Sequence, residues 1–456
     1  MFNKSIFSFI LAAALLLLFS TGCKKFLDAP SPYQVPANDI FASEQGFQQA
    51  LDGVYMQMGA PALYGKELQF AFLSVLARSW DTTIAPSIGD RYYEAARYNY
   101  EHPAVKPVFD DIWDSTYLAI LNINVALSKI DKKREVLSTA GYNLIKSELL
   151  ALRAYLHFDL LRMFGPDNPV ANLNTVVLPY MNQVTANAVN YHTANEILQR
   201  CSNDLDMASA LASKDIVTRG RIGYWGMIAL KARVQLYKGD YVKAAAAANE
   251  VISGGKFPLV TTNADFQFLR EMVFSLFVSA PQLSQNERSI LNTTPSLGLS
   301  PNGQNFVFVA SGGSLNDWRR LSQFVTISGA TTPANAVMLP RKWYHFSSPV
   351  VNVVPMIRMA EMYYIAAEAA NENQDSVTAT SLLNAVRQAR NFPANSLTNL
   401  TRAAVQAEIQ KEYMKEFVGE GQVFYYFKRR NLDINSLPLT KVAPIAGAVY
   451  AFPVPE

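Results

Sequence analysis

Apolar residues recur at helical spacing through most of this chain, and that periodicity restricts its fold more than any other feature. The clearest example, residues 142–164, stops at Gly165-Pro166, a pair that terminates helices. The other predicted helices are residues 39–58, which Asn38 would cap, 105–130, 194–212, 221–237, 240–253, 357–373, 376–390, 401–418 and 420–430. The pattern therefore predicts a mainly α protein.

Two stretches lack the helical period and are predicted to form long irregular loops or short strands. Residues 80–104 and 281–355 mix Gly, Pro, Ser, Asn and Thr with aromatic residues. Residues 270–280 are rich in Val and Phe and are predicted to form a strand. Long irregular segments in a helical protein are usually functional, because a scaffold has to hold them in place.

The helices are predicted to associate as antiparallel pairs. Residues 229–252 place Ala232 and Ala248 on either side of a Gly239-Asp240 turn, which resembles the tetratricopeptide repeat. Small residues at such positions let two helices approach closely. Residues 360–390 repeat the arrangement, and residues 149–165 resemble the first helix of another pair. Tetratricopeptide-like helix pairs would thus form a scaffold that the irregular loops interrupt.

The first residues are typical of an export signal. Lys4 precedes an apolar run of 14 residues, Ile6 to Phe19, which is long enough for export and too short to span a bilayer. Gly22-Cys23 then follows, as in a bacterial lipobox. We interpret residues 1–22 as a lipoprotein signal peptide, Cys23 as the acylated (for example palmitoylated) residue, and residues 23–38 as a proline-containing tether. The alternative is an ordinary signal peptide with an incidental cysteine.

Composition and motifs exclude several functional classes. The 456 residues include 40 Lys and Arg against 37 Asp and Glu, a net charge of +3, which argues against nucleic-acid binding. Two cysteines are too few for a disulfide scaffold. Dinucleotide, P-loop, HExxH and CxxC motifs are missing, and the four histidines lie at least 35 residues apart. The sequence predicts no cofactor and no metal site.

Acidic clusters give no catalytic pair either. Asp110, Asp111 and Asp114 follow one helix, whereas a glycoside hydrolase needs two carboxyl groups about 5–10 Å apart that flank the bond. We interpret them as a solvated face near a helix start, where acids are favourable. A second stripe consists of Glu408, Glu412, Glu416 and Glu420. These like charges would repel unless cations from elsewhere meet them, and the candidates are Arg358, Arg387 and Arg390.

Aromatic residues beside polar ones in the two irregular stretches are the remaining signal. An aromatic plane can bind the apolar C–H face of a sugar ring while Asp and Arg bind its hydroxyl groups. The candidate ligand-binding residues are Trp80, Asp81, Tyr92, Tyr93, Trp318, Arg319, Trp343 and Tyr344. The alternative is that these rings fasten the loops to the core.

Several segments together resemble the SusD/RagB family of outer-membrane nutrient-binding lipoproteins. The matching segments are Cys23 to Asp28 with prolines after it, Leu152 to Gly165, Ala229 to Ile252, Arg358 to Ala369, Leu383 to Arg387, Glu416 to Gly421 and the terminal Phe452 to Glu456. They occur in the family's order along nearly the whole chain. Departures at Tyr413, Val423, Tyr426 and Phe427 indicate a subgroup with the same fold.

The resemblance implies a binding protein without catalytic activity. It would be lipid-anchored at the outer membrane, facing the cell exterior, and would pass oligosaccharides to a SusC-like TonB-dependent transporter for uptake. It also implies an N-terminal SusD-like region with the helix pairs over residues 39–265, and a C-terminal SusD/RagB-like region over residues 266–456 with the insertion 281–355. The alternatives are a tetratricopeptide-type scaffold lipoprotein for envelope protein assembly, a peptide-binding uptake lipoprotein and a lipid-anchored glycoside hydrolase.

Overall fold

A computed structural model describes residues 40–81, 90–290, 297–310, 313–327, 337–343, 352–439 and 442–455. The predicted signal peptide and tether, residues 1–38, lie outside these ranges, and so does the predicted cap residue, Asn38, at the end of the tether. The α-helices are α1 Glu44–Met58, α2 Phe72–Leu76, α3 Arg91–Ala96, α4 Lys106–Ile130, α5 Thr139–Phe164, α6 Ala194–Leu211, α7 Tyr224–Lys238, α8 Tyr241–Ser253, α9 Ala280–Arg288, α10 Pro301–Asn305, α11 Trp318–Ser322, α12 Met359–Glu372, α13 Ser376–Ala389, α14 Arg402–Glu416 and α15 Gln422–Arg429. The strands are β1 Val176–Pro179, β2 Tyr191–Thr193, β3 Met272–Phe277, β4 Phe324–Ile327, β5 Val337–Pro340 and β6 Val353–Arg358.

The long helices form where the apolar period predicts them, and local capping sets their ends. Ser138 caps α5 by accepting a hydrogen bond from the Gly141 backbone N–H. At the predicted turn between α7 and α8, Gly239 adopts a left-handed conformation (φ 82°) and Asp240 caps α8. The first helix begins later than predicted, at Glu44, because Ser43 provides its cap.

Successive helices pack side by side and form a continuous array. In space the order is α1, α4, α5, α6, α7, α8, α12 and α13, each helix contacting the next. Ala232 and Ala248 are completely buried, as expected for small residues between closely packed helices. The scaffold is therefore mainly α and consists of tetratricopeptide-like pairs, as predicted. None of the helices among the described residues combines the length and apolar character needed to cross a bilayer.

The strands form antiparallel two-stranded sheets, β1 with β2, β3 with β6, and β4 with β5. The predicted strand at residues 270–280 is present as β3, whose Met272 pairs with Arg358 of β6. This pairing closes the loop between α8 and α12, so the chain leaves the helical array and returns to it at neighbouring positions.

The prediction of only loops or strands in the irregular stretches is wrong in part. Helix α3 lies within residues 80–104, α10 and α11 lie within the second stretch, and α9 overlaps its start. These helices have five to nine residues, too few for an apolar period to become visible.

Candidate ligand-binding site

Two of the candidate tryptophans meet inside the protein. Trp80 is 2% exposed and Trp343 is fully buried. The Trp80 indole N–H donates a 3.0 Å hydrogen bond to the Phe70 carbonyl oxygen, and the Trp343 ring lies 4.9 Å from the Phe70 ring, centre to centre. Gly419 touches both indoles, since a Cβ there would lie 2.8 Å from Trp343 Nε1 and 3.4 Å from Trp80 Cη2. These rings join the two irregular stretches to the core.

Asp81 makes a second connection between the same stretches. Its carboxylate accepts hydrogen bonds of 2.6 Å from both the backbone N–H and the hydroxyl group of Ser300. The Ser300 hydroxyl in turn accepts a hydrogen bond from Gly303 and so caps α10. The backbone N–H of Asp81 donates to the Gly298 carbonyl oxygen. The side chain is buried, and its contacts hold loop backbone in place.

Trp318 and Arg319 are also inside the protein. The Trp318 ring packs on Phe268, and its N–H donates a 2.8 Å hydrogen bond to the Ala389 carbonyl oxygen. The Arg319 guanidinium group contacts Glu412 at 2.9 Å and Glu416 at 2.7 Å. It therefore ties α11 to α14.

Arg319 belongs to a buried ion cluster around α14. Its members are Glu412, Glu416, Glu420, Arg319, Arg358, Arg387 and Arg390, all of them buried. Glu416 binds Arg358 at 2.6 Å and Arg390 at 2.9 Å, and Arg387 binds Glu412 at 3.1 Å. The predicted pairing of the glutamate stripe with these three arginines is confirmed.

The electrostatics of this ion cluster follow from its packing. Burial alone would raise the pKa of the Glu416 carboxyl group, but the guanidinium groups of Arg390, Arg358 and Arg319 hold that pKa well below its usual value. A carboxylate that is buried, ionised and paired with several cations is poorly suited to exchange protons with a substrate. The ion cluster therefore has the character of a structural element.

The two candidate tyrosines in α3 have different environments. Tyr92 is buried, and its hydroxyl group lies 3.4 Å from the Glu67 carboxylate. Tyr93 is half-buried, with the Arg97 guanidinium carbon 5.8 Å from its ring centre. Arg91 lies at the surface, 3.9 Å from Glu67. Tyr344 lies outside the described residues.

The prediction that the tryptophan rings face solvent is wrong for Trp80, Trp318 and Trp343. Each ring gains more by packing against apolar side chains, and for Trp80 and Trp318 a main-chain carbonyl satisfies the indole N–H. Loop composition cannot report which way a ring points. For Trp80 the sequence contains a signal, because Phe72, Leu76 and Trp80 recur every four residues, a spacing typical of buried positions, although α2 itself ends at Leu76.

One surface among the described residues retains the composition that the sequence led us to expect of a sugar-binding site. We call it the Tyr93 patch and define it as Asp90, Tyr93 and Arg97. The Asp90 carboxylate caps α3 by accepting hydrogen bonds from the backbone N–H groups of Tyr92 and Tyr93. It thereby fixes the backbone from which the Tyr93 side chain projects. Arg97, four residues after Tyr93, lies over the Tyr93 ring on the same side of the helix. The patch thus combines an aromatic ring with hydrogen-bonding groups of both charges.

No cluster of His, Cys, Asp or Glu suited to a metal occurs among the described residues.

Two family models match the chain in separate regions. Residues 25–236 match a model described as "Starch-binding associating with outer membrane", and residues 350–436 match the model of the SusD family. The SusD-like protein P2 of Formosa agariphila is 23% identical over 487 aligned positions, which cover 93% of this chain and 89% of that relative.

Solved structures share the fold over most of the chain. A SusD superfamily protein from Bacteroides thetaiotaomicron superimposes with a TM-score of 0.73 at 22% identity, covering 88% of this chain and 92% of the other. A SusD-like carbohydrate binding protein from Bacteroides vulgatus superimposes with a TM-score of 0.68 at 20% identity, covering 85% and 83%.

Proposed function

We propose a function from one premise: the chain belongs to the SusD/RagB family. It binds an oligosaccharide at the outer membrane, without cleaving it, and delivers it to a SusC-like TonB-dependent transporter for uptake. The observation that supports this most is the match of residues 25–236 to a family model of starch-binding proteins associated with the outer membrane. The related fold of a carbohydrate binding protein over 85% of the chain is consistent with it.

Binding without cleavage agrees with the chemistry of the acidic residues discussed above. Asp110, Asp111 and Asp114 lie along α4, so they approach a ligand from one side only and do not flank a glycosidic bond. The carboxylates of the buried ion cluster are ion-paired and shielded from solvent. Neither group supplies the opposed acid and base that hydrolysis requires.

The Tyr93 patch is the part of the predicted binding site that we retain. Burial of about 60 Å² of sugar C–H surface on one ring contributes roughly 1.5 kcal/mol. Charged groups such as Asp90 and Arg97 can bind the hydroxyl groups around the ring. One ring gives weak binding, so we expect several contacts along a polymer to contribute to affinity.

Calorimetry with a panel of oligosaccharides tests this proposal on the soluble chain that starts after Cys23. For a glycan that binds, Tyr93→Ala should weaken affinity about tenfold, because about 1.4 kcal/mol corresponds to a factor of ten. Tyr191→Ala is the matched control, since Tyr191 is 51% exposed and lies on β2, in a separate element.

Equal affinities for the two variants would remove the Tyr93 patch from the proposal. A panel in which peptides bind and glycans do not would contradict the ligand class.

A further inference from the structure

A pocket opens on the helical scaffold, among residues to which no role has been given above. It has a volume of about 190 Å³ and lies between the start of α5, the end of α6 and the start of α7. Its apolar lining includes Ala140, Leu144, Leu211, Ile216, Ile222 and Met227. Leu144 is 39% and Ile216 is 54% exposed, so the rim also offers apolar surface to solvent.

The size and lining of the pocket suit an aromatic side chain. An apolar cavity of about 150 Å³ is large enough to bind benzene. The mainly apolar lining also includes polar groups, among them the Asn143 amide and the hydroxyl groups of Ser147 and Thr218. A ring with a polar tip, such as that of tyrosine, matches this combination.

The start of α1, four residues into the described chain, lies beside the start of α5, which lines this pocket. The Glu44 carboxylate at the start of α1 accepts a 2.6 Å hydrogen bond from the Ser138 backbone N–H, at the cap of α5. A Cβ on Gly141 would lie 2.3 Å from Glu44 Oε1, so the two helix starts are in direct contact. Ala140, which lines the pocket, is the residue next to Gly141. Leu144 lies six residues after Ser138, which places it about 9 Å further along α5.

We propose that residues 24–39 dock on this face and that the Tyr33 ring occupies the pocket. Tyr33 lies seven positions before Ile40, a reach of up to about 23 Å, which exceeds the roughly 9 Å of α5 between Ser138 and Leu144. Pro32 and Pro36 flank Tyr33 and favour an extended backbone that loses little entropy on docking.

Docking would set how the body is held at the membrane, and it goes beyond the proposed glycan binding. If Cys23 carries the lipid, 17 residues up to Ile40 would span at most about 56 Å, whereas ten residues up to a docked Tyr33 span about 33 Å. The α5 side of the scaffold would then face the membrane, and the free tether would be shorter.

Limited chymotrypsin digestion of the chain from residue 24 onward tests the docking. Mass spectrometry measures the rate of cleavage after Tyr33. We expect this rate to be at least tenfold higher in Leu144→Asp than in the unaltered chain. Leu118→Asp is the matched control, because Leu118 is an exposed leucine on α4 and is 51% exposed. Its cleavage rate should equal that of the unaltered chain.

A disulfide trap tests the same contact without relying on a destabilising charge. Tyr33→Cys combined with Leu144→Cys should form an intramolecular disulfide under mild oxidation, whereas Tyr33→Cys with Val377→Cys on α13 should not. Cys201 is completely buried and should not compete. Equal cleavage rates in the unaltered chain and both variants would overturn the proposal. So would a disulfide that forms between two molecules, or one that forms equally well with Val377→Cys. These outcomes do not depend on whether the protein binds glycans.

Discussion

At the scale of single residues, burial separates structural aromatic side chains from candidates for recognition. Trp343 is enclosed by Phe70, Trp80 and Gly419, whereas Tyr93 keeps part of its ring at the surface. Both residues stand in polar, irregular sequence, so their composition is the same and only the fold distinguishes them.

Trp343→Ala should therefore lower the free energy of unfolding of the protein, and its effect should not be confined to glycan affinity. Removing a buried tryptophan side chain typically costs about 3–5 kcal/mol, because the transfer free energy is lost and a cavity remains. Urea unfolding measures the free energy of unfolding, and Tyr93→Ala is the control, expected to change it by less than about 0.5 kcal/mol. If Trp343→Ala kept full stability and lost only glycan binding, the structural role assigned to this ring would be incorrect.

At the scale of elements, the buried ion cluster connects α14 to its neighbours. Through Glu416 it reaches Arg358 at the end of β6, Arg390 directly after α13, and Arg319 in α11. The insertion between α8 and α12 is thus fastened to the scaffold by charge as well as by the β3–β6 pairing.

Glu416→Gln should destabilise the fold strongly. Removing one partner of a buried ion pair leaves uncompensated charge, which typically costs about 3–5 kcal/mol. Glu250→Gln in α8 is the control, because the Glu250 side chain is 39% exposed and pairs at the surface with Lys214 at 3.1 Å. We expect it to cost about 1 kcal/mol or less. Equal urea midpoints for the two variants would contradict a central role of Glu416.

The same cluster predicts a loss of stability in acid. The folded-state pKa of Glu416 lies below its ordinary value of 4.5, so its contribution is present above that pH and is lost as the pH falls through the folded-state pKa. The difference in unfolding free energy between the unaltered chain and Glu416→Gln should therefore shrink below about pH 4.5. A difference that stays constant from neutral pH into acid would contradict this.

How much of each element could be predicted depends on what stabilises it. Long helices such as α5 follow from the apolar period. The short helices α3, α10 and α11 depend on single capping side chains, Asp90, Ser300 and Asp317, which are also common in loops. The arginine partners of the glutamate stripe could be predicted because buried like charges require counter-charges.

At the scale of the whole molecule, a rigid helical array carries an insertion whose ends meet at β3 and β6. The helical periodicity and the small residues at helix contacts predicted the helical array, but not the pairing of β3 with β6. The pocket at α5 was not predictable from the sequence, because its lining comes from three helices and a loop that are distant in the chain.

Membrane attachment is a property of the whole chain and can be tested in cells. We expect the unaltered protein to fractionate with membranes and Cys23→Ser to be released, because Cys23 is the predicted site of the acyl chains that hold the protein there. Cys201→Ser is the control, since Cys201 is buried in α6 and should have no part in anchoring. Membrane retention of Cys23→Ser would contradict the lipid anchor.

Native mass spectrometry of the soluble chain with an oligosaccharide identified by calorimetry tests the central claim most directly. The account predicts a complex whose mass equals that of the protein plus the intact oligosaccharide, and recovery of the same oligosaccharide after denaturation. Recovery of shorter sugars, each consistent with the addition of water across a glycosidic bond, would contradict it.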